Sequence, residues 1–170
     1  MTVKVGERAP DFQGESTAGK VALKDFKGKW LVLFFYPLDF TFVCPTEVTE
    51  FSKNLKLFKD ANTEVLGCSI DSVHVHKAWI KELGGLNYPL VSDINKEIGR
   101  AYNVLIEDKG YHLRGLFIID PDGILRYQLV HDNNVGRSVQ ETYRVLKGLQ
   151  SGGLCPAEWK PGQKTLEAKK

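Results

Sequence analysis

One cysteine stands where a thiol can be chemically reactive. Cys44 follows an apolar run at 30–36 and a short loop, and it opens a segment whose apolar residues recur at helical spacing. A helix start exposes backbone N–H groups and the positive end of the helix dipole, so it favours the thiolate. Because the thiolate is the form that attacks electrophiles, this placement predicts a nucleophilic cysteine. The same thiol inside an apolar core would be inert.

The other two cysteines, Cys68 and Cys155, lie in different settings. Cys68 belongs to the largely apolar run 65–70, which predicts a small buried side chain. Cys155 lies in a loop-like segment that follows two glycines. Three cysteines without a C-x-x-C pair are too few and too odd in number for a disulfide scaffold, and they disfavour a zinc site or a thioredoxin-type dithiol. The remaining possibility is reactive thiol chemistry, which could involve two cysteines that are distant in sequence.

Composition and charge exclude several classes of partner. The net charge of +2 comes from interspersed basic and acidic residues, so we expect neither nucleic acid nor an anionic membrane as a partner. The first residues contain no apolar segment of signal-peptide length, and 30–36 is too short to cross a bilayer, so we expect a cytoplasmic location. His74 and His76 are two positions apart and point to different helix faces, and we predict no metal site and no bound cofactor.

The remaining pattern predicts the elements that position these residues. Strands are predicted at 30–36, 63–70, 88–91, 113–119 and 124–130, and helices at 44–59, 72–83, 94–102 and from 138 to the glycines at 152 and 153. Asp93 is expected to cap the third helix, and Ser138 with Glu141 matches a capping box at the fourth. Alternating strands and helices followed by a hairpin and a final helix predict a mixed sheet with helices on both faces, the thioredoxin-like α/β arrangement. We expect one domain over 1–170, in which 152–170 forms a C-terminal arm.

The residues around Cys44 resemble the signature of a known family. Pro37-x-x-x-Thr41-x-x-Cys44 is similar to the motif of peroxiredoxins, which are thiol peroxidases built on the thioredoxin fold. Further segments resemble the typical two-cysteine branch, which includes the peroxidase component of alkyl hydroperoxide reductase, in order along nearly the whole chain. They are Ala9-Pro10-Asp11-Phe12, Arg114-Gly115-Leu116-Phe117-Ile118-Ile119-Asp120, Gly136-Arg137-Ser138 and Leu154-Cys155-Pro156-Ala157-x-Trp159.

This resemblance implies a reaction that needs two cysteines. Cys44 would be the peroxidatic cysteine, which attacks hydrogen peroxide or an organic hydroperoxide and becomes a sulfenic acid. Cys155 would be the resolving cysteine, which condenses with the sulfenic acid to a disulfide. The resemblance further implies a symmetric homodimer with intersubunit disulfides, a ring of such dimers, and thioredoxin or a flavoprotein disulfide reductase as electron donor.

Five more residues gain roles from the same resemblance. Pro37, Thr41 and Arg114 would build the peroxide pocket, and Glu47 and Arg137 would support it. An arginine keeps its charge and offers several donors in a fixed fork, so it can hold thiolate and peroxide together. Thr41, three residues before the peroxidatic cysteine, is expected on the same side of a first helical turn, where its hydroxyl can accept the peroxide proton. Pro37 lacks an N–H and can shield the sulfur from water.

A lowered thiol pKa cannot supply most of the rate by itself. For a thiol in general, a fall from about 8.5 to roughly 6 raises the thiolate fraction at pH 7 about 30-fold. A Brønsted slope of about 0.45 lowers the nucleophilicity roughly 13-fold over the same range, which leaves a gain of about twofold. We therefore expect most of the acceleration from groups that align the peroxide and stabilise charge on its departing oxygen, as Arg114 can.

Two other classes of function fit the reactive cysteine alone. A cysteine hydrolase needs a histidine base beside Cys44, and His112 and His131 are the candidates that geometry must decide. A redox-sensing, chaperone-like oligomer would use the thiol to change its assembly. Peroxide consumption with a dithiol donor distinguishes a peroxidase from both.

Overall fold

Nine strands and five α-helices form within residues 3–167, the part of the chain that this computed structural model describes. The strands are β1 (Gln13–Ser16), β2 (Gly19–Ala22), β3 (Trp30–Phe35), β4 (Thr63–Ser69), β5 (Leu90–Ser92), β6 (Leu105–Ile106), β7 (Tyr111–His112), β8 (Arg114–Ile119) and β9 (Leu125–His131). The helices are α1 (Cys44–Lys53), α2 (Leu55–Asp60), α3 (Val73–Glu82), α4 (Glu97–Ala101) and α5 (Val139–Ser151), and a short 3₁₀ helix covers Leu23–Phe26.

The chain divides into two compact units, the first ending at Arg137 and the second beginning at Ser138. The first unit contains both sheets, and the second contains α5 and the segment that follows it. The expected single domain over 1–170, with an arm at 152–170, stays a prediction. Among residues 3–167, no helix combines the length and the apolar character needed to span a membrane.

Seven strands form one mixed sheet in the order β2-β1-β5-β4-β3-β8-β9, and β6 pairs with β7 separately. β3 is parallel to β4 and antiparallel to β8, and β8 and β9 form the predicted hairpin. The predicted thioredoxin-like α/β class is confirmed. The β1–β2 hairpin was not predicted, because its strands contain few apolar residues and show no alternating apolar pattern. Three of the eight strand positions are only partly buried.

The central strand β3 is covered on both faces, as its continuous apolar sequence predicts. Residues 31–35 are each at most 1% exposed. Phe34 stacks on Phe51 of α1 at 4.7 Å, whereas Phe35 belongs to the core cluster that contains Ile98 of α4. Because successive side chains of a strand point to opposite faces, α1 and α4 cover opposite faces of the sheet. Each such fully buried phenylalanine contributes roughly 1.5–3 kcal/mol to stability.

The single helix predicted over 44–59 is wrong, since the structure has two helices separated at Asn54. This residue leaves helical geometry, with φ −100° and ψ 6°. Its side-chain amide donates to the carbonyl of Glu50 at 2.9 Å. Asparagine side chains compete in this way with the backbone hydrogen bonds of a helix, which explains the break.

The predicted helix over 94–102 begins later than expected, at Glu97. Asp93 still serves its first turn, because its carboxylate accepts the backbone N–H groups of Ile98 and Gly99 at 2.9 and 2.7 Å. Gly99 is required there, since a Cβ atom would lie 2.3 Å from Nε2 of His112. Asp93 thus binds the first turn as predicted, but the N-cap position itself is occupied by Lys96, with φ +64°.

The last helix, α5, has the ends that its sequence predicts. The Ser138 hydroxyl accepts the backbone N–H of Glu141 at 3.1 Å. Gly152 ends the helix with φ +66°, a left-handed conformation that glycine adopts at low cost. The Glu141 carboxylate pairs with Arg144 within the same helix.

Candidate active site

The thiol of Cys44 lies at the first residue of α1, as predicted. Pro45 follows as the second residue of the helix, where its missing N–H costs no helical hydrogen bond. Cys44 is 0% exposed in this conformation. A thiol so placed can react only with a small molecule that enters the site, or after the helix start opens.

A guanidinium contacts the sulfur directly. Nη1 of Arg114 lies 3.4 Å from Sγ of Cys44 and donates to Oε1 of Glu47 at 2.7 Å, while Nε donates to the carbonyl of Asn133 at 2.9 Å. Arg114 opens β8, and Phe34 near the end of β3 pairs with a residue near the start of β8. The antiparallel pairing of these two strands therefore brings Arg114 to the edge where the loop towards Cys44 begins.

Glu47 bridges Arg114 to a second arginine. Its Oε2 accepts the backbone N–H and Nε of Arg137 at 2.7 and 2.6 Å, and its Oε1 accepts Nη2 at 2.9 Å. Arg137 also donates to the carbonyl of Gly115 at 2.5 Å, and its guanidinium lies 5.3 Å from the ring centre of Phe34. The four predicted residues Cys44, Glu47, Arg114 and Arg137 thus form one buried cluster.

The buried cluster around Cys44 carries an unbalanced positive charge. Two guanidinium groups and one carboxylate leave one positive charge among side chains that are at most 3% exposed. An uncompensated charge in a buried site is costly. An anionic group among these side chains would balance that charge, which distinguishes this buried site from an apolar core.

The carboxylate of Glu47 is held in its charged form. Burial by itself raises the pKa of Glu47, but the hydrogen bonds and charge of Arg137, and then the charge of Arg114, lower it below the ordinary value of 4.5. A carboxylate of this kind stabilises the fold fully above its unfolded-state pKa. That contribution is lost as the pH falls through the lower folded-state pKa.

We expect Glu47→Gln to lower the free energy of unfolding by about 3–5 kcal/mol at pH 7, because it leaves two buried guanidiniums without their counter-charge. The loss should shrink as the pH falls below the ordinary value of 4.5 towards the lowered folded-state pKa, because the unfolded wild type then takes up a proton that the folded wild type does not. Denaturant unfolding at several pH values measures both effects. Glu50→Gln on the same helix is the control, since Glu50 is exposed and should change stability by less than about 0.5 kcal/mol. Equal stability of Glu47→Gln and wild type would contradict the expectation.

Pro37 and Thr41 lie in the loop at 36–43, between β3 and α1. Pro37 is buried directly after the strand, and Thr41 is half-buried. The predicted position of Thr41 on a first helical turn is wrong, because Pro45 has no N–H to donate to the Thr41 carbonyl and Phe40 has φ +56°. The Thr41 hydroxyl donates to the carbonyl of Leu38 at 2.9 Å, which leaves its oxygen as an acceptor.

Cys155 lies in the second unit, in the segment after α5. Its half-buried sulfur is 3.6 Å from the Ser151 hydroxyl and 3.9 Å from the carbonyl of Gly148. Arg144 of α5 donates to the carbonyl of Trp159 at 3.1 Å, which ties the segment to the helix within this unit. Cys44 and Cys155 are both free thiols here.

Both candidate histidine bases are engaged elsewhere. Nε2 of His112 lies 2.8 Å from Oδ2 of Asp93, and Nδ1 of His131 lies 3.0 Å from a backbone carbonyl. Within residues 3–167, the side-chain hydrogen bond to the sulfur of Cys44 comes from Arg114. The geometry therefore disfavours a cysteine hydrolase.

Two buried clusters combine side chains that could hold a metal ion. They are Cys68, Asp93 and His112, and Asp39, Asp71 and His76. In each cluster the histidine is already hydrogen-bonded to an aspartate. Burial, and then the charge of Asp93, raise the pKa of Cys68, which is fully buried as predicted and therefore a poor thiolate ligand.

Sequence reasoning missed two contacts near the site, one made by Asn133 and one made by His76. Asn133 was missed because it acts on Arg114 through its backbone carbonyl, which carries no sequence signal. His76 was considered only as a metal ligand, although it is buried and bonded to Asp39 in the loop before Cys44. The exposed His74 confirms that the two histidines face different ways.

Comparison with known proteins places this geometry in a family context. Residues 5–128 match the model of the AhpC/TSA family. The chain is 56% identical to YkuU of Bacillus subtilis (strain 168), a protein named as a peroxiredoxin, over 95% of this chain and 97% of that one. It is 50% identical to the chloroplastic 2-Cys peroxiredoxin BAS1 of Spinacia oleracea, over 96% of this chain and 67% of that one. The reduced crystal structure of the Plasmodium vivax 2-Cys peroxiredoxin is similar, with a TM-score of 0.89 and 42% identity over 95% of this chain and 91% of that one.

Proposed function

Because this chain belongs to the AhpC/TSA family and is a peroxiredoxin, a thiol-dependent peroxidase, we propose that Cys44 is the residue that reduces the peroxide. Substrates are hydrogen peroxide and organic hydroperoxides. The contact of 3.4 Å between Nη1 of Arg114 and the Cys44 sulfur carries this assignment. It supplies a fixed positive charge and a donor at the atom where the S–O bond must form.

In the first step the Cys44 thiolate attacks one peroxide oxygen. An S–O bond forms, the O–O bond breaks, and the departing oxygen takes a proton to leave as water or an alcohol. Arg114 stabilises the charge that builds on the departing oxygen, and it needs no reorganisation because Glu47 and the Asn133 carbonyl already hold it. Thr41 accepts the peroxide proton, and Pro37 excludes water from the sulfur.

In the second step the thiol of Cys155 attacks the Cys44 sulfenic acid. An S–S bond forms and water leaves. Since Cys44 is fully buried, the start of α1 must open locally before this step. An external dithiol protein, thioredoxin or a flavoprotein disulfide reductase, then supplies two electrons and two protons to restore both thiols.

The disulfide joins two subunits of a symmetric homodimer, and the dimers assemble into a ring. The similarity to proteins named 2-Cys peroxiredoxins supports this arrangement. A band at dimer mass on a non-reducing gel after one equivalent of peroxide, with a mapped peptide joining Cys44 to Cys155, tests the pairing. A band at monomer mass with an internal disulfide would contradict it. A cytoplasmic location stays a prediction.

We expect Cys155→Ser to react with the first equivalent of peroxide at the wild-type rate and then to stop. The sulfenic acid at Cys44 should persist and be trapped by dimedone, because no second thiol condenses with it. Steady-state consumption of peroxide with a protein dithiol donor should be lost, while Cys68→Ser should retain both steps. A disulfide that still forms in Cys155→Ser would show that another cysteine resolves the intermediate.

A further inference from the structure

The segment that follows β9 supplies one of the two acceptors that hold the guanidinium of Arg114 beside the sulfur. We propose that Asn133 is a positioning residue, whose side-chain amide fixes its own main-chain carbonyl against Arg114 and so aims this arginine at the peroxide. The proposal rests on the proposed function of Cys44. It assigns the effect to the asparagine side chain, since a carbonyl alone is common to every residue.

Asn133 lies where the β8–β9 hairpin opens. The register of the two strands pairs Arg114 with His131, so two further steps along each chain place Asn133 opposite His112. The strand β9 ends at His131, and the backbone pairing does not extend to this position. Instead, Nδ2 of Asn133 donates to the carbonyl of His112 at 3.1 Å. A side chain therefore joins the two segments where the backbone ladder has ended.

This side-chain bond leaves the main chain of Asn133 to make other contacts. Its carbonyl accepts Nε of Arg114 at 2.9 Å, and its N–H donates to Oδ1 of Asp132 at 2.9 Å. Among residues 3–167, Oδ1 of Asn133 is buried and has no hydrogen-bond partner. The amide thus contributes as a donor only, and that donor sets where the carbonyl next to it lies.

The acceptor of the asparagine bond is itself held firmly. His112 belongs to β7, which pairs with β6. Its Nε2 lies 2.8 Å from Oδ2 of Asp93, and both of these side chains are 0% exposed. Its ring packs edge-on against Phe35 of the central strand, with 5.3 Å between the ring centres. Asn133 is therefore tied to a fixed point of the buried core.

Arg114 needs both of its anchors to present a donor in one direction. Glu47 accepts Nη1 at 2.7 Å, and the same nitrogen lies 3.4 Å from the sulfur of Cys44. A guanidinium held at one nitrogen can turn about that bond, whereas a second bond at Nε fixes its plane. Within residues 3–167, Nη2 makes no hydrogen bond, so it is left to donate to the peroxide. Its direction follows from the two nitrogens that are held.

The test replaces the amide without changing its size and asks whether the effect passes through Arg114. Asn133→Leu has a similar volume and no donor. It is made in the wild type and in Arg114→Lys, because lysine has a carbon at the position of Nε and cannot bond to the Asn133 carbonyl. Competition or stopped-flow kinetics with hydrogen peroxide measures the rate constant for oxidation of Cys44, and thermal unfolding measures stability.

We expect Asn133→Leu to slow the oxidation of Cys44 about tenfold in the wild type and by less than about twofold in Arg114→Lys. The unfolding midpoint should shift by less than about 4 °C, because the substitution removes one hydrogen bond together with a buried oxygen that has no partner among residues 3–167. Asn134→Leu, at the exposed neighbouring position, is the control and should keep the wild-type rate.

Three results would overturn the proposal while leaving the function of Cys44 intact. One is a wild-type rate in Asn133→Leu, or in Asn133→Ala if the leucine variant does not fold. Another is an equal slowing in the wild type and in Arg114→Lys, which would assign the effect to the segment as a whole. The third is a wild-type rate in Arg114→Lys itself. If hydrogen peroxide does not oxidise Cys44 in the wild type, the proposed function fails instead.

Discussion

Replacing Cys44 by serine should abolish peroxide consumption, with a loss of rate on the order of 10⁴-fold or more. A serine hydroxyl at this position is not ionised, and its oxygen cannot accept an oxygen atom from peroxide as sulfur does. Arg114 and Glu47 would remain in place, because serine occupies nearly the same volume at the first residue of α1. Hydrogen peroxide consumption with a dithiol donor measures the loss.

Cys68→Ser provides the matched control for that experiment. Cys68 is also fully buried and free, but its neighbours include Asp93 instead of an arginine. It should retain turnover, with at most a modest loss of stability. Turnover retained by Cys44→Ser would remove the basis of the proposed function. Loss of turnover in both variants would indicate that either substitution disturbs the fold.

Arg114→Lys should slow the oxidation of Cys44 by about 10²–10³-fold, the usual cost of removing one preorganised donor from a reacting centre. Lysine keeps the charge, but one ammonium cannot reproduce the fork that contacts the sulfur, Glu47 and the Asn133 carbonyl together. Stopped-flow or competition kinetics with hydrogen peroxide measures the second-order rate constant.

The control for the arginine variant is Arg100→Lys. Arg100 forms a bidentate salt bridge with Glu107 on the protein surface, with hydrogen bonds of 2.7 and 3.1 Å. The same chemical change there should leave the rate constant within about twofold of wild type. A rate near wild type in Arg114→Lys would show that charge alone, without the fork, supports the reaction.

Short stretches of sequence were enough to predict most of the fold that carries these residues. The apolar run at β3, the alternation of strands with helices and the cap at Ser138 are signals that lie within a few residues of each other. They predicted the class of fold and the helix start at Cys44. Boundaries failed where a local side chain competed with the backbone, as at Asn54, or where a turn intervened, as after Asp93.

The candidate site was only partly predictable for a different reason. The motif from Pro37 to Cys44 predicted which thiol reacts, and the resemblance pointed to Arg114, Glu47 and Arg137. It did not show that one carboxylate bridges both arginines, since the partners are 67 and 90 residues apart. It also gave no sign of the bond between His76 and Asp39, which are 37 residues apart.

The position of the proposed reactive thiol at a helix start is thus encoded locally, because a thiol after a strand and before a helix has the same backbone environment in any fold that contains both. The charge balance and the burial around it are not encoded locally. They arise only when β3 pairs with β8 and the loop at 36–43 packs on α3, since electrostatic and hydrogen-bond energies depend on distances in space and not on separation along the chain.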